Sequence, residues 1–165
     1  MPGLKTSTAG GLLTINSVSL NTPAWIITNL VDLQLGAELR GQDRIIPHAA
    51  GVVPYPRRFT VTERHLPMLI SGDVDRFGTQ QSNVHQGLQA NLTYLRTNVL
   101  DPPNTTTSLR AAVLTLPTGA TRAANVHVLG LDIGDQYFGQ HVMRGGQGYV
   151  LRAVLRLSIP AGVFA

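Results

Sequence analysis

The chain has 165 residues, of which 43% are hydrophobic and only 13% are charged, and its formal net charge is +4. This length favours a single domain with its own core, spanning residues 1–165. Typical proteins carry about 25% charged residues, so unusually little of this surface can be covered by charge. Of the 13 Lys and Arg residues, only Lys5 is a lysine. The arginines are scattered along the chain and few aromatic residues accompany them, so the sequence disfavours specific binding of nucleic acid.

The chain contains no cysteine, which excludes disulfides and thiolate metal sites. No stretch approaches the roughly 18 to 20 apolar residues that a membrane span requires. The N-terminal sequence MPGLKTSTAGG lacks the apolar run of a secretory leader. We therefore expect a protein that folds in a cytoplasm and has no membrane partner.

The N-terminal third is predicted to begin with a flexible arm, residues 1–11, which is rich in Gly, Thr and Ser. Leu12 to Leu20 alternates apolar and polar residues and predicts one strand. Ala24 to Leu35 predicts another, with Trp25 as a core or interface anchor. Residues 40–57 form a Pro/Gly-rich connector, typical of a functional loop or of one that becomes ordered against a neighbour.

The next stretch, RRFTVTERHLPMLISGD, predicts a strand with an unusual amount of charge. In its first half, alternation puts Phe59, Val61, Glu63 and His65 on one face of the strand. The apolar face then continues at Leu66, Met68 and Ile70, so the alternation changes phase. This change predicts a β-bulge or a sheet edge near Pro67, which cannot donate a ladder hydrogen bond.

A helix is predicted over about residues 84–99. The apolar residues recur at helical spacing, at Leu88, Leu92, Leu95 and Val99. Ser82 or Asn83 can cap its start, and the DPP sequence from Asp101 ends it. Gly87 is expected to weaken the first turns by roughly 1 kcal/mol relative to alanine.

The remainder is predicted to return to strands. LRAAVLTLP and TRAANVHVLGL flank a tight hairpin turn in which Gly119 can adopt positive φ. The closing segment YVLRAVLRLSIP alternates, and its second face mixes valine with arginine, which suits contact with another protein. The order of elements predicts a mainly β protein, an antiparallel β-sandwich or barrel with one flanking α-helix.

The sequence shows no constellation typical of catalysis, so we expect no enzyme and no cofactor. DVDRFG, from Asp73 to Gly78, begins like a calcium loop, but Val84 stands where the bidentate glutamate would be needed. An acidic turn is favoured instead. The five histidines never fall at a metal-ligand spacing, and no G-x-S-x-G nucleophile motif occurs.

Four segments carry a resemblance: Arg40 to Arg58 (RGQDRIIPHAAGVVPYPRR), Leu66 to Asp73 (LPMLISGD), the helix from Gly87 to Val99, and Leu155 to Gly162 (LRLSIPAG). Together they resemble the tail-tube and distal-tail (Dit-like) ring proteins of long-tailed phages that infect actinobacteria. The resemblance implies a structural virion protein of the tail, assembled in the bacterial host cytoplasm. It further implies a homohexameric ring around the channel through which viral DNA passes without sequence-specific binding, stacked on other tail proteins.

Closing a ring requires one edge of a subunit to meet a different edge of the next. Arginines can pair with a neighbour's carboxylates in a fixed register. We therefore predict an inter-subunit interface that contains Arg40, Arg44, Tyr55, Arg57, Arg58 and Arg64.

Two alternatives stay open. A head-to-tail connector or a tail terminator ring would share a related β-sandwich with a flanking helix. A monomeric β-sandwich that binds carbohydrate or peptide would use Trp25, Tyr55 and Tyr137 as stacking residues, although aromatic residues make up only 5% of the chain.

Overall fold

A computed structural model describes residues 11–34, 39–40, 44–45, 52–53, 58–59, 61–101, 109–133 and 150–165. The strands are β1 (Leu12–Ile15), β2 (Val18–Ser19), β3 (Trp25–Ile27), β4 (Leu39–Arg40), β5 (Arg44–Ile45), β6 (Val52–Val53), β7 (Arg58–Phe59), β8 (Thr62–Ser71), β9 (Leu109–Thr115), β10 (Thr121–Asp132) and β11 (Val150–Ile159). The helices are α1 (Val31–Gln34) and α2 (Val84–Leu95), and a π-helical turn (Arg96–Leu100) continues α2. Among these residues, no helix is both long and apolar enough to cross a membrane.

Seven strands form one antiparallel sheet in the order β2-β1-β9-β10-β11-β8-β3, curled into a half-barrel. Two small ladders, β4–β7 and β5–β6, lie outside it. Strands hold 49% of the described residues, which confirms the mainly β class with one flanking helix. The predicted hairpin around Gly119 is also confirmed. β9 and β10 are antiparallel partners, and their pairing begins next to the turn, with Thr115 opposite Thr121.

The core lies between the sheet and α2, on what we call the inner face of the sheet. Alternate residues of the two paired ten-residue strands, β8 and β11, point into it, as a two-residue period requires. They are Leu66, Met68 and Ile70 on β8, and Leu151, Ala153, Leu155, Leu157 and Ile159 on β11. The other side of the sheet is the outer face.

Strand β8 contains no bulge, so the predicted change of phase at Pro67 is wrong. All ten of its residues pair with β11 in one unbroken register, from Thr62 opposite Ile159 to Ser71 opposite Val150. The apparent change of phase comes from Val61, which the alternation assigns to the apolar face. Val61 in fact precedes the strand, and its side chain is 66% exposed. Pro67 does mark an edge, because β3 pairs only with the residues from Met68 to Ile70.

The bulge of this sheet lies instead in β10, where the pairing with β11 shifts between Val128 and Gly130. Leu129 is the extra residue, and it is 45% exposed. Gly130 has a φ of 156°, a conformation that costs glycine little.

The single strand predicted from Leu12 to Leu20 is a hairpin. β1 and β2 are joined by Asn16 and Ser17, whose φ angles of 52° and 64° are those of a tight I′-type turn. Such turns usually contain glycine at the second position, and the serine here hides the signal.

The strand predicted from Ala24 to Leu35 ends early. β3 has three residues, and α1 follows, with the side chain of Asn29 accepting a hydrogen bond from the backbone N–H of Val31 at 3.0 Å. Leu30 and Leu33 bury their side chains in the core at this short helix. A four-residue helix is too short to produce a periodic pattern, so the alternation alone favoured a strand.

Helix α2 forms where the sequence predicts it. The Asn83 carboxamide accepts hydrogen bonds from the N–H groups of His85 and Gln86, at 3.0 and 3.2 Å, and so caps the first turn. The predicted apolar stripe faces the core: Leu88, Leu95 and Val99 are buried, and Leu92 packs against them. The last turn widens to a π-helix before Asp101.

Candidate assembly surface

The described residues offer little for catalysis. No group of three or more metal-binding side chains lies together among them. Ser71 is 1% exposed and its hydroxyl accepts a hydrogen bond from the N–H of Asp73, so it serves the strand end. The DVDRFG segment is an acidic turn, as predicted, in which the Asp75 carboxylate accepts hydrogen bonds from the N–H groups of Phe77 and Thr79.

The structure brings together two of the predicted interface arginines. Arg40 on β4 and Arg58 on β7 are direct cross-strand partners. Arg44 lies in the other small ladder, opposite Val53. Tyr55 and Arg57 lie outside the described residues, as does most of the predicted connector 40–57.

Arg64 has a different position from the other predicted interface residues. It is half-buried on the inner face of β8, opposite Leu157 of β11. Its neighbours on β8, Glu63 and His65, occupy the outer face. The charged strand noted in the sequence therefore divides its charges between the two sides of the sheet.

Glu63 and His65 belong to a charge cluster that crosses three strands of the outer face. The Glu63 carboxylate lies 3.1 Å from Nε2 of His65 and 4.0 Å from Arg156 of β11. Nε of Arg156 lies 2.9 Å from the Asp132 carboxylate of β10. All four side chains are at least a third exposed, so the pairs contribute little stability. Sequence reasoning missed this cluster, because it depends on the strand register.

The other half of the outer face carries no formal charge, and we call it the neutral sheet face. It consists of alternate residues of β1, β9 and β10, in cross-strand register. They are Leu12, Thr14, Leu109, Ala111, Val113, Thr115, Thr121, Ala123, Asn125 and His127. None of them is buried, and Leu109 is 39% exposed. Exposed sheet surface normally carries interspersed charges, so this composition is typical of a contact surface.

The side of α2 that faces away from the core also has no charged residue along its middle line. Gln86, Gln89, Ala90, Thr93 and Thr97 fall at helical spacing, opposite the buried stripe, and all five are exposed. A shallow groove of about 620 Å³ runs along them, bordered by Tyr94 and Asn98. We call this surface the neutral helix face. Arg96 is exposed at its flank.

An aromatic stack continues from the core to the surface beside α2. Trp25 stacks on Tyr94 with ring centroids 5.7 Å apart. The Arg76 guanidinium lies 4.3 Å from the Tyr94 ring and 4.5 Å from the Phe77 ring. Phe77 is 76% exposed, at the tip of the acidic turn. Neither Arg76 nor Phe77 stood out in the sequence, because a single aromatic residue in a turn has no pattern.

The burial of Trp25 argues against the carbohydrate-binding alternative. The residue is 1% exposed, and its indole N–H donates a hydrogen bond to the carbonyl of Ser19 at 3.0 Å. A stacking platform for a sugar must present an open ring face. Trp25 is instead the core anchor that the sequence predicts, while Tyr137 lies outside the described residues.

The fold has a counterpart among solved structures. Five solved chains match, one of which is the SPP1 Dit protein, described as a paradigm of the hub adsorption apparatus in phages that infect Gram-positive bacteria. The match has a TM-score of 0.56 and 12% sequence identity, and it covers 92% of this chain and 50% of the Dit chain. This chain therefore spans about half the length of that protein.

No protein-family model matches the chain, and no curated protein sequence matches it either. The structural likeness confirms the Dit-like fold expected from the sequence. The expectation of a phage infecting actinobacteria stays a prediction.

Proposed function

We propose that this protein is a structural subunit of the tail of a long-tailed phage, belonging to the tail tube or the distal tail. The observation that carries the proposal is the match to the SPP1 Dit protein, which includes 92% of this chain. The resemblance of its motifs to those of tail-tube and distal-tail proteins agrees with this proposal.

Two features of the surface support an assembled state. Only 13% of the residues are charged, and two exposed surfaces, the neutral sheet face and the neutral helix face, lack charge at their centres. Such surfaces can be covered without burying an unpaired charge, which is the costliest group to desolvate, and a centre depleted of charge is typical of interfaces. No catalytic role is part of the proposal, and the protein acts through assembly alone.

The proposed assembly is a homohexameric ring, stacked coaxially on other tail proteins, with viral DNA passing through its channel. The predicted arginines contribute to contacts between neighbouring copies. Arg40 and Arg58 occupy directly paired positions of the β4–β7 ladder, so the strand register brings two of the predicted interface positions together.

The test of this proposal is the mass and shape of the purified protein. A hexamer of the 17.7 kDa chain has a mass of about 106 kDa, six times that of one copy. Light scattering after size-exclusion chromatography should give this mass, and negative-stain electron microscopy should show rings. A protein that remains at 17.7 kDa at high concentration, with no rings in the images, would contradict the proposal.

The double variant Arg57→Ala plus Arg58→Ala tests the role of the arginines. It should fold normally by circular dichroism and lose ring formation. Arg122→Ala plus Arg152→Ala is the matched control, since it removes the same charge from two exposed positions of the main sheet. Rings that survive the first double variant as well as the second would rule out the arginine contact.

A further inference from the structure

The neutral sheet face and the neutral helix face lie on opposite sides of the subunit. α2 covers the inner face, contacting β8, and the π-helical turn that continues it contacts β10. The neutral sheet face is the outer side of β1, β9 and β10. The described part of the chain buries none of the ten residues of the neutral sheet face, so it supplies no covering layer of the kind that usually buries an uncharged sheet surface.

We propose that the neutral helix face of one copy packs on the neutral sheet face of the next copy, head to tail, around the ring. The inference rests on the proposed ring assembly and identifies the surfaces that close it. A contact between two different faces of the same chain is heterologous, and repeated heterologous contacts form a ring when the rotation closes.

The two faces match in size. The rise per residue gives α2 and its π-helical turn a combined length of about 25 Å. The seven residues of β9 extend about 23 Å, and the outer sides of β1, β9 and β10 together are about 14 Å wide. One helix of ordinary diameter, about 10 Å, fits on this width.

The two faces also match in charge. The centre of the neutral helix face carries amides, hydroxyls and one alanine, and the neutral sheet face carries leucine, alanine, valine, threonine and asparagine, with one histidine, His127, at its end. Neither surface would bury an unpaired charge against the other. Charges remain at the margins, at Arg96 beside the helix face and at the Glu63–Arg156–Asp132 cluster beside the sheet face. A charged rim around an uncharged centre is the usual anatomy of an interface.

Two single substitutions test each face separately. Thr93→Glu places a charge at the centre of the helix face, and Ala123→Arg places one within the sheet face, directly opposite Val113 of its middle strand β9. Both positions are exposed, so each variant should keep its fold. Burying an unpaired charge is strongly unfavourable, so each variant alone should fall from the mass of the ring to 17.7 kDa. Gln34→Glu and Thr118→Arg add the same charges at other exposed positions and should keep the ring.

The decisive sample is an equal mixture of the Thr93→Glu and Ala123→Arg proteins. In an alternating ring, the carboxylate introduced on one helix face would meet the guanidinium introduced on the neighbouring sheet face, and unmodified faces would meet at the next contact. The mixture should therefore recover the mass of the ring, although neither protein assembles alone. An interface between two helix faces or between two sheet faces cannot be rescued in this way.

The outcomes separate this inference from the proposed function. Rings formed by the Ala123→Arg protein would overturn the inference and leave the phage-tail proposal standing, because the rings would then close through other surfaces. Loss of assembly in both variants without rescue in the mixture would also overturn it. An unmodified protein that forms no rings would overturn the proposed ring and this inference together.

Discussion

Gly72, the residue after β8, lies directly against Gly87 in the first turns of α2. A Cβ atom on Gly87 would overlap the carbonyl oxygen of Gly72, and a Cβ on Gly72 would overlap the carbonyl oxygen of Val84. The backbones of the strand end and of the helix are therefore in contact with no space for a side chain between them. Helix propensity alone favours alanine at position 87, and the packing reverses that preference.

We expect Gly87→Ala to lower the free energy of unfolding by about 1–3 kcal/mol, because the helix must shift away from the strand. Urea unfolding followed by circular dichroism measures the change. Ala90→Gly, on the exposed side of the same helix, is the control for propensity and should cost about 1 kcal/mol. A Gly87→Ala protein more stable than the unmodified one would show that the close contact is unimportant.

A second prediction concerns Asn91, which is 5% exposed and was not identified from the sequence. Its side-chain amide donates to the carbonyls of Ser71 and Val74, at 2.8 and 2.9 Å, and so ties α2 to the end of β8. Asn91→Ala should cost about 2–4 kcal/mol, since two buried carbonyls lose their partner.

The matched control is Asn98→Ala. The Asn98 amide donates to the carbonyl of Tyr94, one turn earlier in its own helix, at 2.9 Å. Its loss should cost about 1 kcal/mol. Equal losses in the two variants would contradict the special role of Asn91.

A third prediction uses the turn between β1 and β2. Ser17 has a φ of 64°, a conformation that glycine adopts without steric cost. Ser17→Gly should therefore raise the free energy of unfolding by about 0.5–1 kcal/mol, because the relief of the left-handed strain exceeds the chain entropy that glycine adds to the unfolded state. Gly119→Ala is the converse control: its φ is 86° and its surroundings are open, so any loss of stability reports the backbone conformation alone. A destabilised Ser17→Gly protein would show that the serine side chain contributes more than its strain costs.

A fourth prediction concerns pH. Desolvation raises the pKa of Asp75, but the hydrogen bonds from Thr79, Phe77 and Gly78 outweigh it and hold the pKa below its ordinary value. A carboxylate with a lowered pKa contributes stability above its unfolded-state pKa, and the contribution is lost as the pH falls through the folded-state value.

The Asp75→Asn protein should therefore be less stable than the unmodified protein near neutral pH, and the difference should narrow in acid. Urea unfolding at about pH 7 and about pH 3 measures both differences. A difference that stays constant with pH would mean that the turn does not depend on the charge of Asp75.

The elements that the sequence predicts well are those with a long pattern and one buried side. β11 alternates over its ten residues because only one face of the sheet is covered, and α2 combines a helical stripe with the Asn83 cap. The errors occur where a single residue is untypical of the structure in which it lies. Val61 extended the apparent apolar face of β8, and Ser17 concealed a tight turn.

The candidate surface was harder to predict than the fold. The arginines of residues 40–58 stand out by composition, but Arg40 and Arg58 become neighbours only through the register of β4 and β7. The neutral sheet face is spread over three strands, in segments that are separated in sequence, and no window along the chain contains it. Such a surface appears only after the strands are paired.

The position of Trp25 has a practical consequence for all of these measurements. It is the only tryptophan of the chain, and it lies in the core against Tyr94. Because it is 1% exposed, its ring has almost no solvent contact left to lose when copies associate. Its fluorescence should therefore shift to longer wavelengths on unfolding and change little on association. The protein thus carries an intrinsic optical probe of folding that association leaves almost unchanged, and light scattering recorded on the same samples reports assembly separately.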